Sequence, residues 1–240
     1  MGNILITYWR NLNLKILSID TSSNICSIAL LEDTNTIQEL NIKNAKTHSE
    51  NLMPLLDKLL TTHHLDLEDI ECIVCDKGPG SFTGIRIGIA TAKALAQVRR
   101  IPVVGITSLQ ALAYQVSPKR GVICSIIDAR NSNVYCGIFN KNHVLLQDYV
   151  ADHIQNILPL LQKHSYITFV GDASLLHEIF LRENLSSHLI FSGIEDLSAS
   201  SLGACGFIQF QQGNFDDADS LLPLYLRKSQ AERMKELNGH

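Results

Sequence analysis

The sequence predicts an α/β protein built from two halves of like topology, each a mixed sheet flanked by helices. Three observations carry this. Short apolar runs bounded by polar turns alternate with stretches whose apolar residues recur every three or four positions, the marks of strands and of helices. One such run, Cys72-Ile73-Val74-Cys75, leads through a glycine-rich turn straight into a helix, the strand–turn–helix unit of a parallel sheet. The order of elements then restarts near residue 121, so that Asp20 and Asp128 each close the first strand of a three-stranded meander.

Composition bounds what such a fold can do. With 240 residues, 45% of them hydrophobic, the chain can bury a substantial core. Its net charge of -4 argues against a broad basic surface that holds nucleic acid unaided, so RNA contact is expected only through a partner. The six cysteines lie mostly in apolar strand-like runs, where reduced cysteine acts as a small hydrophobe, and the cytoplasm is the expected compartment. Cys72 and Cys75 fall on opposite faces of one strand, which argues against a redox pair. Ile4-Leu5-Ile6 is too short for a signal-peptide core or a membrane span, and no membrane association is expected.

Residues 1–14 read as an extension, 15–117 as the first half, 118–228 as the second and 229–240 as a charged, mobile tail. The first strand runs from Lys15 to Asp20, and the turn Asp20-Thr21-Ser22-Ser23 leads to strands over 26–31 and 36–42. Thr47-His48-Ser49-Glu50 reads as a capping box, opening a helix with Leu52, Leu55, Leu56, Leu59 and Leu60 on one face and a kink expected at Pro54. His48 reads as an exposed or capping histidine, because no carboxylate or cysteine stands at motif spacing from it.

The turn Gly78-Pro79-Gly80-Ser81-Phe82-Thr83-Gly84 gives the central helix its start. Gly78 and Gly80 are expected at positive φ and Ser81 at the N-cap, with the free N–H groups of the first turn offered to an anion. Gly84, Gly88, Ala92 and Ala96 then recur every four residues. Each glycine costs about 1 kcal/mol against alanine in a helix. The expected compensation is close approach of another backbone, from the chain's own sheet or from another protein. A strand over 101–106 and a short helix capped by Thr107 or Ser108 complete this half.

The second half reads as strands over 121–127, 134–140 and 144–149, a helix over 153–163, a strand over 167–171, a helix over 175–182, a strand over 189–191 and a helix over 199–211. Two such halves are expected to form a cleft, with ligands at the strand ends. The residues expected to face a phosphate there are Asp20, Thr21, Ser22, Gly78, Gly80, Ser81, Thr83 and Asp128. Each aspartate also has a plainer reading, Asp20 as the cap of its own turn and Asp128 as the partner of Arg130 in a loop ion pair.

This layout resembles the ASKHA (actin, hexokinase and Hsp70-like) group. Several blocks in register over residues 15–227 narrow it further: Ile16-Leu17-Ser18-Ile19-Asp20-Thr21-Ser22, the stretch from His48 to Pro54, the stretch from Gly78 to Gly88, Gly105-Ile106-Thr107-Ser108-Leu109, Ile127-Asp128-Ala129-Arg130 and Pro223-Leu224-Tyr225-Leu226-Arg227. Together they resemble the TsaB (YeaZ) family of tRNA threonylcarbamoyladenosine biosynthesis proteins.

The resemblance implies an ASKHA fold of two duplicated ribonuclease-H-like halves, a homodimer when alone and a heterodimer with TsaD, joined by the ATPase TsaE. It implies a part in moving threonylcarbamoyl to N6 of adenosine 37 in tRNAs that read codons beginning with A. In that family TsaD carries the catalysis, so ATP/ADP and metal are expected in the partner subunits and no cofactor in this one. The positions matching TsaD's two metal-binding histidines are Thr107 and Ala111, and none of the nine histidines has another four residues away, so no catalytic residue and no metal ligand is assigned. Following the family's dimerisation elements, the expected partner-facing residues are His48, Leu52, Leu55, Leu56, Leu59, Ile85, Gly88, Ile89 and Ala92.

The alternative is an independent phosphotransferase of the same fold class, using Asp20, Asp128 and the glycine-rich turn. Where such kinases show a double-glycine turn, the second half has only Gly171-Asp172-Ala173-Ser174. A peptidase reading finds no set of nucleophile, base and orienting group.

Overall fold

Strands β1 (Lys15–Asp20), β2 (Ile25–Glu32) and β3 (Asn35–Lys43) form the expected meander, with β4 (Cys72–Asp76) and β5 (Val103–Ile106) added in parallel, in the order β3-β2-β1-β4-β5. The computed structural model describes residues 13–43 and 47–227. The tail expected over 229–240, and the extension up to residue 12, lie outside the described residues. Leu14 already belongs to the fold: it is buried, and its N–H donates to Asp33 Oδ1 over 2.9 Å.

Central strands of a sheet covered on both faces should be apolar throughout, and β4 is buried at every position. Helices α1 (His48–Thr62) and α2 (Phe82–Arg99) lie on the face presented by Leu17, Ile19, Cys26, Ile28 and Leu30. Side chains alternate along a strand, so Ser18 and Leu31 point to the other face. There α7 (Ala199–Gln211) sits close, with Gly203 against Leu31 and Ser18 and Gly206 against Val74. Helix α3 (Ser108–Tyr114) packs beside α7.

The second sheet repeats the plan. Strands β6 (Val122–Asp128), β7 (Asn133–Asn140) and β8 (Val150–His153) form an antiparallel meander, joined in parallel by β9 (Tyr166–Val170) and β10 (His188–Phe191) in the order β10-β9-β6-β7-β8. This is the first order with each strand replaced by its counterpart, the duplication that the order of elements predicts and the ribonuclease-H-like half that the family resemblance implies. Helix α4 (Ile154–Leu161) follows β8, while α5 (Asp172–Leu176) and α6 (Glu178–Asn184) follow β9. No helix among the described residues is long and apolar enough to cross a membrane.

Three local expectations need correction. The third strand of the second meander is β8, not 144–149, where only Leu145 bridges Phe139; β8 carries Asp152 and His153 and so lacks an apolar signal. The helix expected over 175–182 is broken at His177. Thr47 precedes α1 without capping it through its side chain, so the expected box does not form.

The domain boundaries also differ. The chain folds as two compact units, the first from the residues up to Val116 together with Asp196–Pro223, the second from Ser117–Glu195 and the residues from Leu224. Helix α7, expected in the second half, therefore belongs to the first. Glu39 on β3 holds its start: the carboxylate accepts from Ser198 Oγ (2.8 Å), Ser200 N–H (3.0 Å) and Ala199 N–H (3.3 Å). A carboxylate at a helix N-terminus satisfies orphan N–H groups and complements the helix dipole.

Burial pushes the Glu39 pKa up, but hydrogen bonds from Ser200 and Ser198 outweigh it and leave the group below its ordinary value. Its stabilisation is present above the unfolded-state pKa and is lost as pH falls through the folded-state value. Glu39→Gln should therefore cost on the order of 1 kcal/mol at neutral pH, as loss of a helix cap does. In urea denaturation the difference from wild type should close as the carboxylate of the wild-type protein is protonated.

Candidate functional site

Parallel pairing of β1 with β4 sets Ile19 opposite Cys75, so the next residues, Asp20 and Asp76, end side by side. Both are buried, at 0% and 2% exposure. Asp20 Oδ1 accepts the Ser22 N–H over 2.8 Å, and Asp76 Oδ1 accepts the Gly78 N–H over 2.7 Å. Ser108 Oγ, at the start of α3, lies 2.9 and 2.7 Å from the two Asp76 oxygens and 2.8 Å from the Pro79 carbonyl oxygen.

Two adjacent buried carboxyls cannot both ionise cheaply. Burial, and then the charge of Asp76, drive the Asp20 pKa well up; burial also raises Asp76, but donors from Ser108, Ser22 and Gly78 draw it back. Asp20 Oδ2 is buried and receives no hydrogen bond. Both carboxyls are therefore biased toward the protonated form, Asp20 the more strongly.

The glycine-rich turn closes over this pair. Gly78 has the expected positive φ of 93°. Gly80 does not adopt a positive φ, and its need is space instead: a Cβ there would run into the Ser22 carbonyl oxygen. Ser81 caps α2 as expected, its Oγ accepting the Gly84 N–H over 3.2 Å, while its own N–H donates to the Ser22 carbonyl over 2.6 Å. Thr21 Oγ donates to the Gly84 carbonyl over 2.7 Å.

The start of α2 is thus covered by the backbone of the β1–β2 turn. The Thr21 and Ser22 carbonyl oxygens, which repel phosphate, sit against Gly84 and Gly80. Of the residues expected to face a phosphate in this unit, only Ser81 and Thr83 are exposed, while Asp20, Thr21, Ser22 and Gly78 are buried and Gly80 is half-buried. The bare stripe of α2 faces its own sheet: Gly88 lies against Thr21, Cys75 and Ile19, and Ala92 and Ala96 are buried.

The residues expected to face a partner are buried too. Leu52, Leu55, Leu56, Leu59, Ile85, Ile89 and Ala92 all fill the core of the first unit, and Gly88 is closed off beneath α2. A helix's apolar stripe is where its own core attaches, which is the physical reason these side chains have little surface left to give. His48 is neither exposed nor a cap: it is buried, with Nε2 at 3.0 Å from the Ser23 carbonyl, fastening α1 to the β1–β2 turn. What α1 and α2 do expose includes Met53, Asp57, Arg86, Ala90 and Val98.

In the second unit Asp128 occupies the place that Asp20 holds in the first. Its N–H donates to Asp172 Oδ1 (2.9 Å), and its Oδ1 accepts the backbone N–H of Arg130 (2.9 Å), a turn contact in place of the expected ion pair. Burial raises the Asp172 pKa, as it does for Asp76. Thr107 caps α3 by accepting the Gln110 N–H, and Ala111 is fully buried, so these two positions do not fit a metal. Among the described residues no group of three or more His, Cys, Asp or Glu side chains is arranged to hold one. All six cysteines are free and buried, and burial pushes the Cys72 and Cys75 thiols up.

Asp76 and Ser108 are the site residues that sequence reasoning misses. The available signal is that Asp76, like Asp20, directly ends an apolar run before a turn.

Because both folded-state pKa values are raised, the pair's contribution is fully present below the ordinary aspartate pKa and is lost as pH rises through the raised values. Asp20→Asn, which keeps the shape and a donor toward Asp76, should hold or increase stability, by more at pH 8 than at pH 4. Asp76→Asn should lower stability, since it removes the charge that Ser108 and Gly78 serve; urea denaturation across that range reads both. Gly84→Ala should cost about 1–3 kcal/mol by overpacking against the Thr21 carbonyl, whereas Ala90→Leu on the exposed side should leave the melting temperature nearly unchanged.

Known proteins agree with this architecture. A family model described as TsaD, tRNA N6-adenosine threonylcarbamoyltransferase, matches residues 41–235. The tRNA threonylcarbamoyladenosine biosynthesis protein TsaB of Bacillus subtilis is 33% identical over 225 residues, 90% of this chain and 96% of that protein. Its counterpart in Haemophilus influenzae is 36% identical over 233 residues, 90% of this chain and 94% of that one. The solved structure of YeaZ from Pseudomonas aeruginosa superposes with a TM-score of 0.76 at 23% identity, over 89% of this chain and 100% of that one, and so shares the fold. The chain belongs to the TsaB family of tRNA threonylcarbamoyladenosine biosynthesis proteins, within the wider set of sequences that the TsaD model describes.

Proposed function

We propose that the chain is a non-catalytic subunit of the assembly that forms threonylcarbamoyladenosine in tRNA, working beside a TsaD-type transferase and a TsaE-type ATPase in the cytoplasm and pairing with itself when they are absent. The observation that carries this reading is a contrast. The chain matches a transferase family over most of its length, yet Thr107 and Ala111 stand where imidazoles would be needed, one as a helix cap and the other closed in the core. The polar groups at the strand ends of the first unit are engaged in holding its turns, not open to a substrate. Metal and ATP/ADP then belong to the partner subunits.

The partner surface follows from what the first unit leaves outside. Met53 on α1 and Val98 on α2 are 50% and 79% exposed. Isolated exposed apolar residues are ordinary on a surface; on the two helices by which the family pairs, they are the side chains free to make contact.

Mixing the chain with TsaD from the same source should give a 1:1 complex by size exclusion with light scattering. Threonylcarbamoyl transfer to tRNA should appear only when both are present. Met53→Glu should weaken the complex without lowering the melting temperature of the chain. Turnover by this chain alone, or two separate peaks with and without nucleotide, would overturn the reading.

A further inference from the structure

The second unit separates its charges along the strand direction. Val122 at the start of β6 is in register with Ile167 on β9 and with Asn140 at the end of β7, and Tyr166 at the start of β9 is in register with His188 at the start of β10. These positions mark one end of the sheet. The segments entering or leaving it there carry Lys119 and Arg120 before β6, Lys141 after β7 and Lys163 before β9, all exposed. Among the described residues none of these four cations makes an ion pair. Asp128, Asp152 and Asp172 lie toward the opposite end, at the last residue of β6, the penultimate residue of β8 and just after β9. Asp148 and Glu183 are the acids nearest in sequence to the basic end.

The same end carries a stack of planar groups. Tyr166 and His188 pair directly across the two strands, with ring centroids 5.0 Å apart and planes within 3°. The Arg120 guanidinium carbon lies 3.8 Å from the Tyr166 centroid. One ring face cannot hold both neighbours, so the layers run Arg120, Tyr166, His188. Strand β10 is the sheet edge and His188 is exposed, which leaves the stack ending on an imidazole face open to solvent.

We propose that this end of the second unit is an RNA-binding face, with Lys119, Arg120, Lys141 and Lys163 on phosphates and His188 as the open layer on which an unpaired base stacks. Unpaired cations alone would suit any polyanion, including an acidic protein surface. The open planar stack selects RNA, whose single-stranded loops are read by stacking on aromatic and guanidinium planes. The net charge of -4 is no obstacle, because the charges are segregated and phosphates meet only one end. This inference deepens the proposed function and rests on tRNA being the substrate of the assembly.

The test is tRNA binding by the complex of this chain with its TsaD-type partner, by fluorescence anisotropy over a range of salt concentrations. The triple variant K119A/R120A/K163A should bind at least about tenfold more weakly, with the salt slope reduced by roughly two, as expected for three lost contacts to single-stranded phosphates. His188→Ala should weaken binding of tRNA about fivefold or more, the loss of one stacked base, and leave binding of a blunt RNA duplex unchanged. Both variants should keep the wild-type melting temperature and the 1:1 assembly. Unchanged tRNA affinity in the triple variant overturns the proposal. So does a triple variant that no longer assembles with the partner, which would make the face a protein contact. A wild-type complex that binds no tRNA defeats the functional reading itself; binding by wild type and variant alike defeats only this face.

Discussion

Two buried carboxyls at neighbouring strand ends organise the first unit. Asp20 and Asp76 close adjacent parallel strands, and each must have a compensating partner to stay out of water. Their partners are the turns that follow them, Ser22 for Asp20 and Gly78 for Asp76, together with Ser108 at the start of α3. The β1–β2 turn, the glycine-rich turn and the start of α3 are therefore held to one point. That point faces the protein's own backbone.

The glycines of α2 follow from the same arrangement. Once the β1–β2 turn is held against the sheet, the helix must pass directly over the Thr21 carbonyl, and no side chain fits between them. The helix-propensity cost of Gly84 and Gly88 is offset by contact with a neighbour fixed by Asp20. A small-residue stripe of this kind looks alike whether it meets another protein or its own fold. Here the contact is internal, and the opposite side of the helix is the one left exposed.

How much of this is legible in the sequence depends on the range of the interaction. β1, the helix over 199–211 and the Ser81 cap are set by neighbours a few positions away, and local pattern finds them. The duplication is legible because each half repeats its order of elements, with an aspartate at the end of each first strand. Asp76 is not legible as Asp20's partner, since their pairing depends on which strands lie side by side. Periodicity identifies Leu52, Leu55, Leu56 and Leu59 as one face of α1 but not what covers that face, and it turns out to be the first unit's own core. The stack of Arg120, Tyr166 and His188 draws on three separate segments, and composition, which reports only total charge, conceals the basic end on which it stands.

The return of α7 to the first sheet bears on how the protein is born. Synthesis runs from the N-terminus, and domains generally fold as they emerge from the ribosome. The face of the first sheet that carries Ser18, Leu31 and Val74 stays open until Ala199–Gln211 arrives, after all five strands of the second sheet have been made. A nascent chain stopped before that helix would have one sheet with a bare face, a substrate for chaperones, and the two halves of the duplication could not be cut apart at residue 117 into two self-sufficient proteins.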